Sequence, residues 1–144
     1  MITCSKTYYN IPFAHRQPLH DGHCQFVHGH NWAIKFTFLA NERDENGFVV
    51  DFGKLHFIKE WIDKKLDHAL LICTNDPQVE YFKANNNILW RLHLVNDASC
   101  EGLCNYIHEQ FKRAVTYETN GRVVIKSVEV FEDNKNSALI EVGI

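Results

Sequence analysis

His28-Gly29-His30-Asn31-Trp32-Ala33-Ile34-Lys35-Phe36-Thr37-Phe38-Leu39-Ala40 alternates large rings and chains with small or polar residues. The even positions are His28, His30, Trp32, Ile34, Phe36 and Phe38, and the odd ones include Gly29, Asn31, Lys35 and Thr37. A period of two marks a strand with one buried face. That face opens with two histidines. Residues i and i+2 point to the same side of a strand, so both imidazoles continue the apolar layer. A ring at the edge of a core needs partners for its nitrogens, and a shared metal ion supplies one.

Upstream, residues 2–13 mix Thr, Tyr, Ile and Phe and predict a second strand. Its odd positions Tyr9, Ile11, Phe13 and His15 share one face, provided Pro12 introduces no bulge. Residues 14–27 read as a polar loop. If the two strands pair, His15 meets His28 and His30. Three neutral imidazoles bind Zn²⁺ at about 2.0–2.1 Å and leave a fourth position open, the mark of a catalytic site. Cys24 lies in the loop four residues before His28. A nearby cation favours its thiolate, which then serves as base, nucleophile or fourth ligand.

Downstream, Asn41–Gly47 is a polar turn and Asp51–Leu66 predicts a helix, with Leu55, Ile58, Ile62 and Leu66 on one stripe. Residues 70–98 are less regular, with a short helix near Pro77–Lys83 and a strand over Ile88–Val95. A second helix runs from Ser99 to about Val115. Its stripe is Cys100, Leu103, Cys104, Ile107 and Phe111, and Ser99 or Asp97 caps it. Cys100 and Cys104 mimic a metal pair, but their place on that stripe reads as core packing. Residues 122–132 and 137–144 form two strands around the turn Asp133–Asn136. The order ββααββ predicts an α+β domain, with two helices on one face of a four-stranded antiparallel sheet. Asp67-His68 follows the first helix, either as a carboxylate that orients a general acid–base histidine or, as the residues alone favour, as an ordinary acidic and histidine pair at a helix end. Glu132 ends a strand, where its carboxylate either accepts two N–H bonds from a planar heterocycle or is a solvated strand end, the reading that the pattern alone favours.

The 144 residues and 16.8 kDa fit one domain, residues 1–144. The formal charge of −3 gives no general attraction to nucleic acid or to a membrane surface. Five irregularly spaced cysteines do not form a disulfide framework. With no apolar run of 18 residues and no signal-peptide pattern at the start, the expectation is a reduced, cytoplasmic protein. Of nine histidines, five lie between His15 and His30.

These residues together resemble the 6-pyruvoyl-tetrahydropterin and 6-carboxy-tetrahydropterin synthase family. The resemblance rests on Phe13-Ala14-His15, Cys24 with His28-Gly29-His30-Asn31, Val50-Asp51-Phe52, Leu66-Asp67-His68, Ser99–Glu101 and Glu132. It implies the T-fold, assembled into trimeric barrels that pair as hexamers, with active sites at subunit interfaces. It implies zinc on His15, His28 and His30, and Cys24 as the catalytic thiol. Asp67 and His68 would be its proton-relay partners, with Glu132 and Ser99 contacting a pterin triphosphate. The compact Cys24-x3-His28 spacing looks like the bacterial carboxy-tetrahydropterin branch. That implies conversion of 7,8-dihydroneopterin triphosphate to 6-carboxy-5,6,7,8-tetrahydropterin, with release of acetaldehyde and triphosphate, as in queuosine biosynthesis. A 6-pyruvoyl-tetrahydropterin synthase and a non-catalytic zinc-stabilised binding module are the alternatives. This chain has Ala98-Ser99 where the family has Pro-Thr, and a longer stretch from Cys73 to Asn96.

Overall fold

The alternation in His28–Ala40 builds the strand that runs through the middle of the molecule. In the computed structural model, which describes residues 1–143, the strands are β1 (Ile2–His15), β2 (His28–Ala40), β3 (Ala69–Cys73), β4 (Arg91–Val95), β5 (Val123–Phe131) and β6 (Ser137–Glu141). The helices are α1 (His56–Lys65), α2 (Val79–Ala84) and α3 (Cys100–Glu118). The six strands form one sheet in the order β4-β3-β1-β2-β5-β6.

The expected four-stranded antiparallel sheet is present as β1-β2-β5-β6. The correction is that two short strands extend it beyond β1. β3 pairs with β1 in parallel, and β4 pairs with β3 in parallel. β3 went unread because Ala69-Leu70-Leu71-Ile72-Cys73 is buried throughout. An unbroken apolar run carries no alternation to announce a strand. Residue 144, the end of the predicted last strand, lies outside the described residues.

One face of the sheet carries the core. Trp32, Ile34, Phe36 and Phe38 are fully buried there with Ile58 and Ile62 of α1 and Leu103, Ile107 and Phe111 of α3. The upstream reading of β1 needs one change. The register slips between Tyr8 and Ile11, and Asn10 adopts a left-handed conformation (φ 59°). One extra residue in β1 inverts the alternation at that point, and asparagine tolerates the left-handed region better than most side chains. Tyr8 therefore faces the core while Tyr9 is 70% exposed. Ile11, Phe13 and His15 are buried as expected. The bulge lies two residues before Pro12, not at it.

The first helix is shorter than its apolar stripe. Asp51 caps a 3-10 turn (Phe52–Leu55) by accepting from the Gly53 N–H at 2.9 Å, and α1 begins only at His56. α3 begins as predicted: the Ser99 hydroxyl accepts from the Gly102 N–H at 2.9 Å. A Cβ at Gly102 would lie 2.4 Å from Asp97 Cγ, so only glycine fits under that cap. Cys100 and Cys104 donate to the carbonyls of Val130 and Ala138, which places both in the packing of α3 on the sheet. Burial pushes the Cys100 thiol up to about 12, which keeps it a thiol at neutral pH.

The long middle segment has its own small core, Leu70, Ile72 and Phe82, edged by Trp90, whose indole N–H donates to the Phe82 carbonyl at 2.9 Å. Asp76 is buried and receives a two-point contact from Arg16, at 2.8 and 3.1 Å. This bridge fastens the segment to the residue after His15. Among the described residues, no helix is long and apolar enough to cross a membrane.

Two stability predictions follow from this packing. Phe36→Ala should cost about 3–5 kcal/mol, read as a lower urea midpoint at unchanged slope. Burial also holds His93 and His108 below the ordinary histidine value of 6.5, with Lys65 adding to the effect at His93. The unfolded chain then binds protons that the folded chain does not. This contribution is present above the unfolded value and lost as pH falls through the lowered folded one. The metal-free protein should melt at a lower temperature near pH 5.5 than near pH 7.5, and a melting temperature that rises on acidification would contradict the assignment.

Candidate active site

The β1–β2 register sets His15 opposite His28 and Phe13 opposite His30. Cross-strand partners project to the same side, so the three imidazoles cluster on the core face at the end of the strand pair. Ring centroids lie 4.7 Å apart for His15–His28, 5.0 Å for His28–His30 and 5.5 Å for His15–His30. Their floor is aromatic. Trp32 stands edge-on to His15 and His30, stacks on Phe13 at 4.3 Å, and donates its indole N–H to the Phe13 carbonyl at 3.1 Å.

Backbone carbonyls orient two of the rings. His15 Nδ1 donates to the Ala98 carbonyl and His28 Nδ1 to the Phe26 carbonyl, each at 2.7 Å. A ring that donates from Nδ1 presents the lone pair of Nε2, the arrangement by which a second contact prepares a metal-binding histidine. Burial pushes His15 below its ordinary value; the Ala98 carbonyl opposes this, and the neighbouring His28 and His30 reinforce it. The Nε2 atoms of His15 and His30 are buried with no hydrogen-bond partner. A buried polar atom left without a partner costs about 1–3 kcal/mol.

Glu132 completes the group, because Val128, Val130 and Glu132 continue one face of β5. Its Oε1 lies 2.9 Å from His30 Nε2 and 3.6 Å from His15 Nε2. One ligand atom from each of His15, His28, His30 and Glu132 falls within 4.8 Å of all the others. The buried, unpartnered nitrogens and the carboxylate beside them fit a divalent metal ion. The sequence offers Glu132 as an acceptor for a heterocycle, and the structure also sets it beside these nitrogens. The in-phase run Val128, Val130, Glu132 was the available signal.

Cys24 lies in a short turn (His23–Gln25) of the loop between β1 and β2, where its carbonyl accepts from the Gln17 N–H at 2.8 Å. Asp67 and His68 lie at the other end of the fold's logic, between α1 and β3, with Asp67 Oδ1 accepting from His68 Nδ1 at 2.6 Å. His68 has a left-handed backbone (φ 61°), and its N–H donates to the Pro12 carbonyl at 2.7 Å. Its side chain is 76% exposed. Among the described residues, no hydrogen bond joins Cys24 to Asp67 or His68. Ser99 is held as the cap of α3, one residue after the Ala98 carbonyl that binds His15. Alanine in place of the family proline keeps this carbonyl contact. Arg91 was not foreseen. Its guanidinium donates to the carbonyls of Lys64 (2.5 Å) and Asp67 (3.2 Å), bracing the turn that carries the dyad.

A sequence profile of the 6-pyruvoyl tetrahydropterin synthase family matches residues 3–142. The chain belongs to that family. It is 36% identical over 80 residues to the 6-carboxy-5,6,7,8-tetrahydropterin synthase of Rickettsia typhi, a match covering 55% of this chain and 57% of the relative. The enzyme of the same name from Rickettsia felis is 29% identical over 113 residues, covering 76% of this chain and 80% of the relative. Among solved structures, an uncharacterized protein from Wolinella succinogenes superposes with a TM-score of 0.82 at 19% identity, over 97% of both chains. The 6-pyruvoyl tetrahydropterin synthase of Caenorhabditis elegans superposes with a TM-score of 0.67 at 24% identity, over 99% of this chain and 96% of the other. These likenesses establish the fold, the T-fold.

Arg91→Ala should speed amide exchange at His68 and cost about 1 kcal/mol of stability. Arg91→Lys, which cannot fork onto two carbonyls, should restore little of either. Unchanged exchange in both variants would remove Arg91 from the support of the dyad.

Proposed function

We propose that this chain is a zinc-dependent lyase that converts 7,8-dihydroneopterin triphosphate and one water to 6-carboxy-5,6,7,8-tetrahydropterin, acetaldehyde and triphosphate. The observation that carries the reading is the convergence of His15, His28 and His30, two of them held by backbone carbonyls, in a chain of this family. The relatives named as 6-carboxy-5,6,7,8-tetrahydropterin synthases support the choice of product.

His15, His28 and His30 would hold the metal. When bound, Zn²⁺ supplies Lewis acidity that polarises a side-chain oxygen of the substrate and acidifies the neighbouring C–H. The Cys24 thiolate takes and returns that proton. His68 exchanges protons with the thiol, and Asp67 Oδ1 fixes the His68 tautomer by accepting from Nδ1, leaving Nε2 to act. Glu132 and Ser99 contact the pterin. The aromatic floor of Phe13 and Trp32 keeps water from beneath the imidazoles.

Among the described residues no hydrogen bond joins His68, whose side chain is 76% exposed, to Cys24, and the proposed site is an interface one: Asp67-His68 of one copy serves Cys24 of another. The proposed assembly is the trimer or hexamer implied by the family resemblance, acting in the cytoplasm.

The assay is zinc-loaded protein with dihydroneopterin triphosphate, read by mass spectrometry. The expected products are acetaldehyde and the 6-carboxy pterin. A 6-pyruvoyl product without acetaldehyde would transfer the chain to the other branch. Cys24→Ala should lower kcat by about 10²–10⁴-fold and retain zinc, whereas His28→Ala should lose zinc and activity together. Mixing Cys24→Ala with His68→Ala protomers should rebuild about a quarter of the sites in a symmetric oligomer. A mixture as inactive as its components would overturn the shared site.

A further inference from the structure

Glu132 makes contacts that a simple ring anchor would not. A carboxylate kept for a heterocycle would leave both oxygens open to paired N–H donors. Here Oε1 is drawn to the imidazoles, 2.9 Å from His30 Nε2 and 3.6 Å from His15 Nε2. Neither approach is a hydrogen bond, for both nitrogens are buried and unpartnered despite the short separations. His15 has its ring hydrogen on Nδ1, 2.7 Å from the Ala98 carbonyl. An anionic oxygen therefore faces a nitrogen lone pair, an opposition that a cation between them relieves.

The backbone of Glu132 is fixed and its side chain is not. Its N–H donates to the Asn136 carbonyl at 3.0 Å, and the Asp133 carboxylate accepts from the amides of Lys135 and Asn136 at 2.9 and 2.7 Å. The turn is thus tied down next to the cluster. Among the described residues, no lysine or arginine pairs with Glu132, whose side chain is 25% exposed. The carboxylate can turn about its own torsions without moving the strand.

We propose, resting on the metal-dependent reading above, that Glu132 is a releasable fourth ligand. In the resting protein its Oε1 completes the set of His15, His28 and His30. When a heterocycle with paired N–H groups arrives, the carboxylate leaves the metal and accepts those groups instead. Opening the metal and recognising the ring are two positions of one side chain. A small polyol or a phosphate ester without such a ring offers Glu132 no other partner, so the fourth position stays closed to it.

Cobalt(II) in place of zinc tests this without turnover, because four-coordinate cobalt absorbs far more strongly in the visible than five- or six-coordinate cobalt. The probes are cobalt(II) alone, neopterin as the ring-bearing ligand and glycerol as the ring-free control. Glu132→Gln should bind cobalt at least about tenfold more weakly and show altered visible bands before any ligand is added. Neopterin should shift the wild-type bands, and glycerol should not. Identical ligand-free spectra and equal cobalt affinities in wild type and Glu132→Gln would overturn the proposal and leave Glu132 a ring anchor only. A wild-type protein that takes up no cobalt would instead defeat the metal reading on which the proposal stands. Should Glu132→Gln fail to fold, a substrate-free crystal structure of the metal-loaded wild type decides. Oε1 is expected within about 2.0–2.2 Å of the ion, and a water in its place would overturn the assignment.

Discussion

The register of β1 against β2 places His15 across from His28 and Phe13 across from His30, and everything at the site inherits that alignment. Side chains alternate with a period of two, so a slip of one residue would turn His15 away from its partners and Phe13 out of the core. The bulge at Asn10 maintains the phase. Before it the even residue Tyr8 is buried; after it the odd residues Ile11, Phe13 and His15 are. Removing the extra residue would reverse the second half of the strand while leaving the first in place. The apolar packing of Trp32, Ile34, Phe36 and Phe38 under α1 and α3 anchors β2 against that slip.

On this alignment a second layer of constraint is built from main-chain carbonyls. Ala98 and Phe26 each hold one imidazole by Nδ1. Neither contact depends on the side chain at the carbonyl-bearing position. Proline can thus give way to alanine before Ser99 without loss of the oxygen that orients His15. The burial that holds His15 neutral also makes its free nitrogen expensive to leave alone. Packing and ligand preparation are the same fact seen from two sides.

The parts of this arrangement that repeat along the chain were legible in the sequence. Alternation revealed β2, and a three-and-four spacing revealed α3 together with its Ser99 cap. The pair His28 and His30 announced itself because two polar rings interrupt an apolar face in phase. Contacts made at a distance were not legible. β3 hides in a run buried on both sides, and Arg91 meets the carbonyls of Lys64 and Asp67 only after α1 and β4 are set side by side. The bulge at Asn10 leaves no trace in composition, since asparagine is common in ordinary turns. Glu132 was noticed, but its nearness to His15 and His30 required the pairing of β5 with β2.

The excursion between β1 and β2 is pinched shut at its base, where Gln17 N–H meets the Cys24 carbonyl, and the strands on either side are secured by a core that the excursion does not enter. Insertions and deletions there leave the sheet undisturbed, because lengthening a loop costs only about 0.6 kcal/mol per doubling. They do change how far the thiol stands from the imidazoles. The length of this loop can therefore vary, and the place of the thiol with it, while the sheet and the three histidines on it stay where they are.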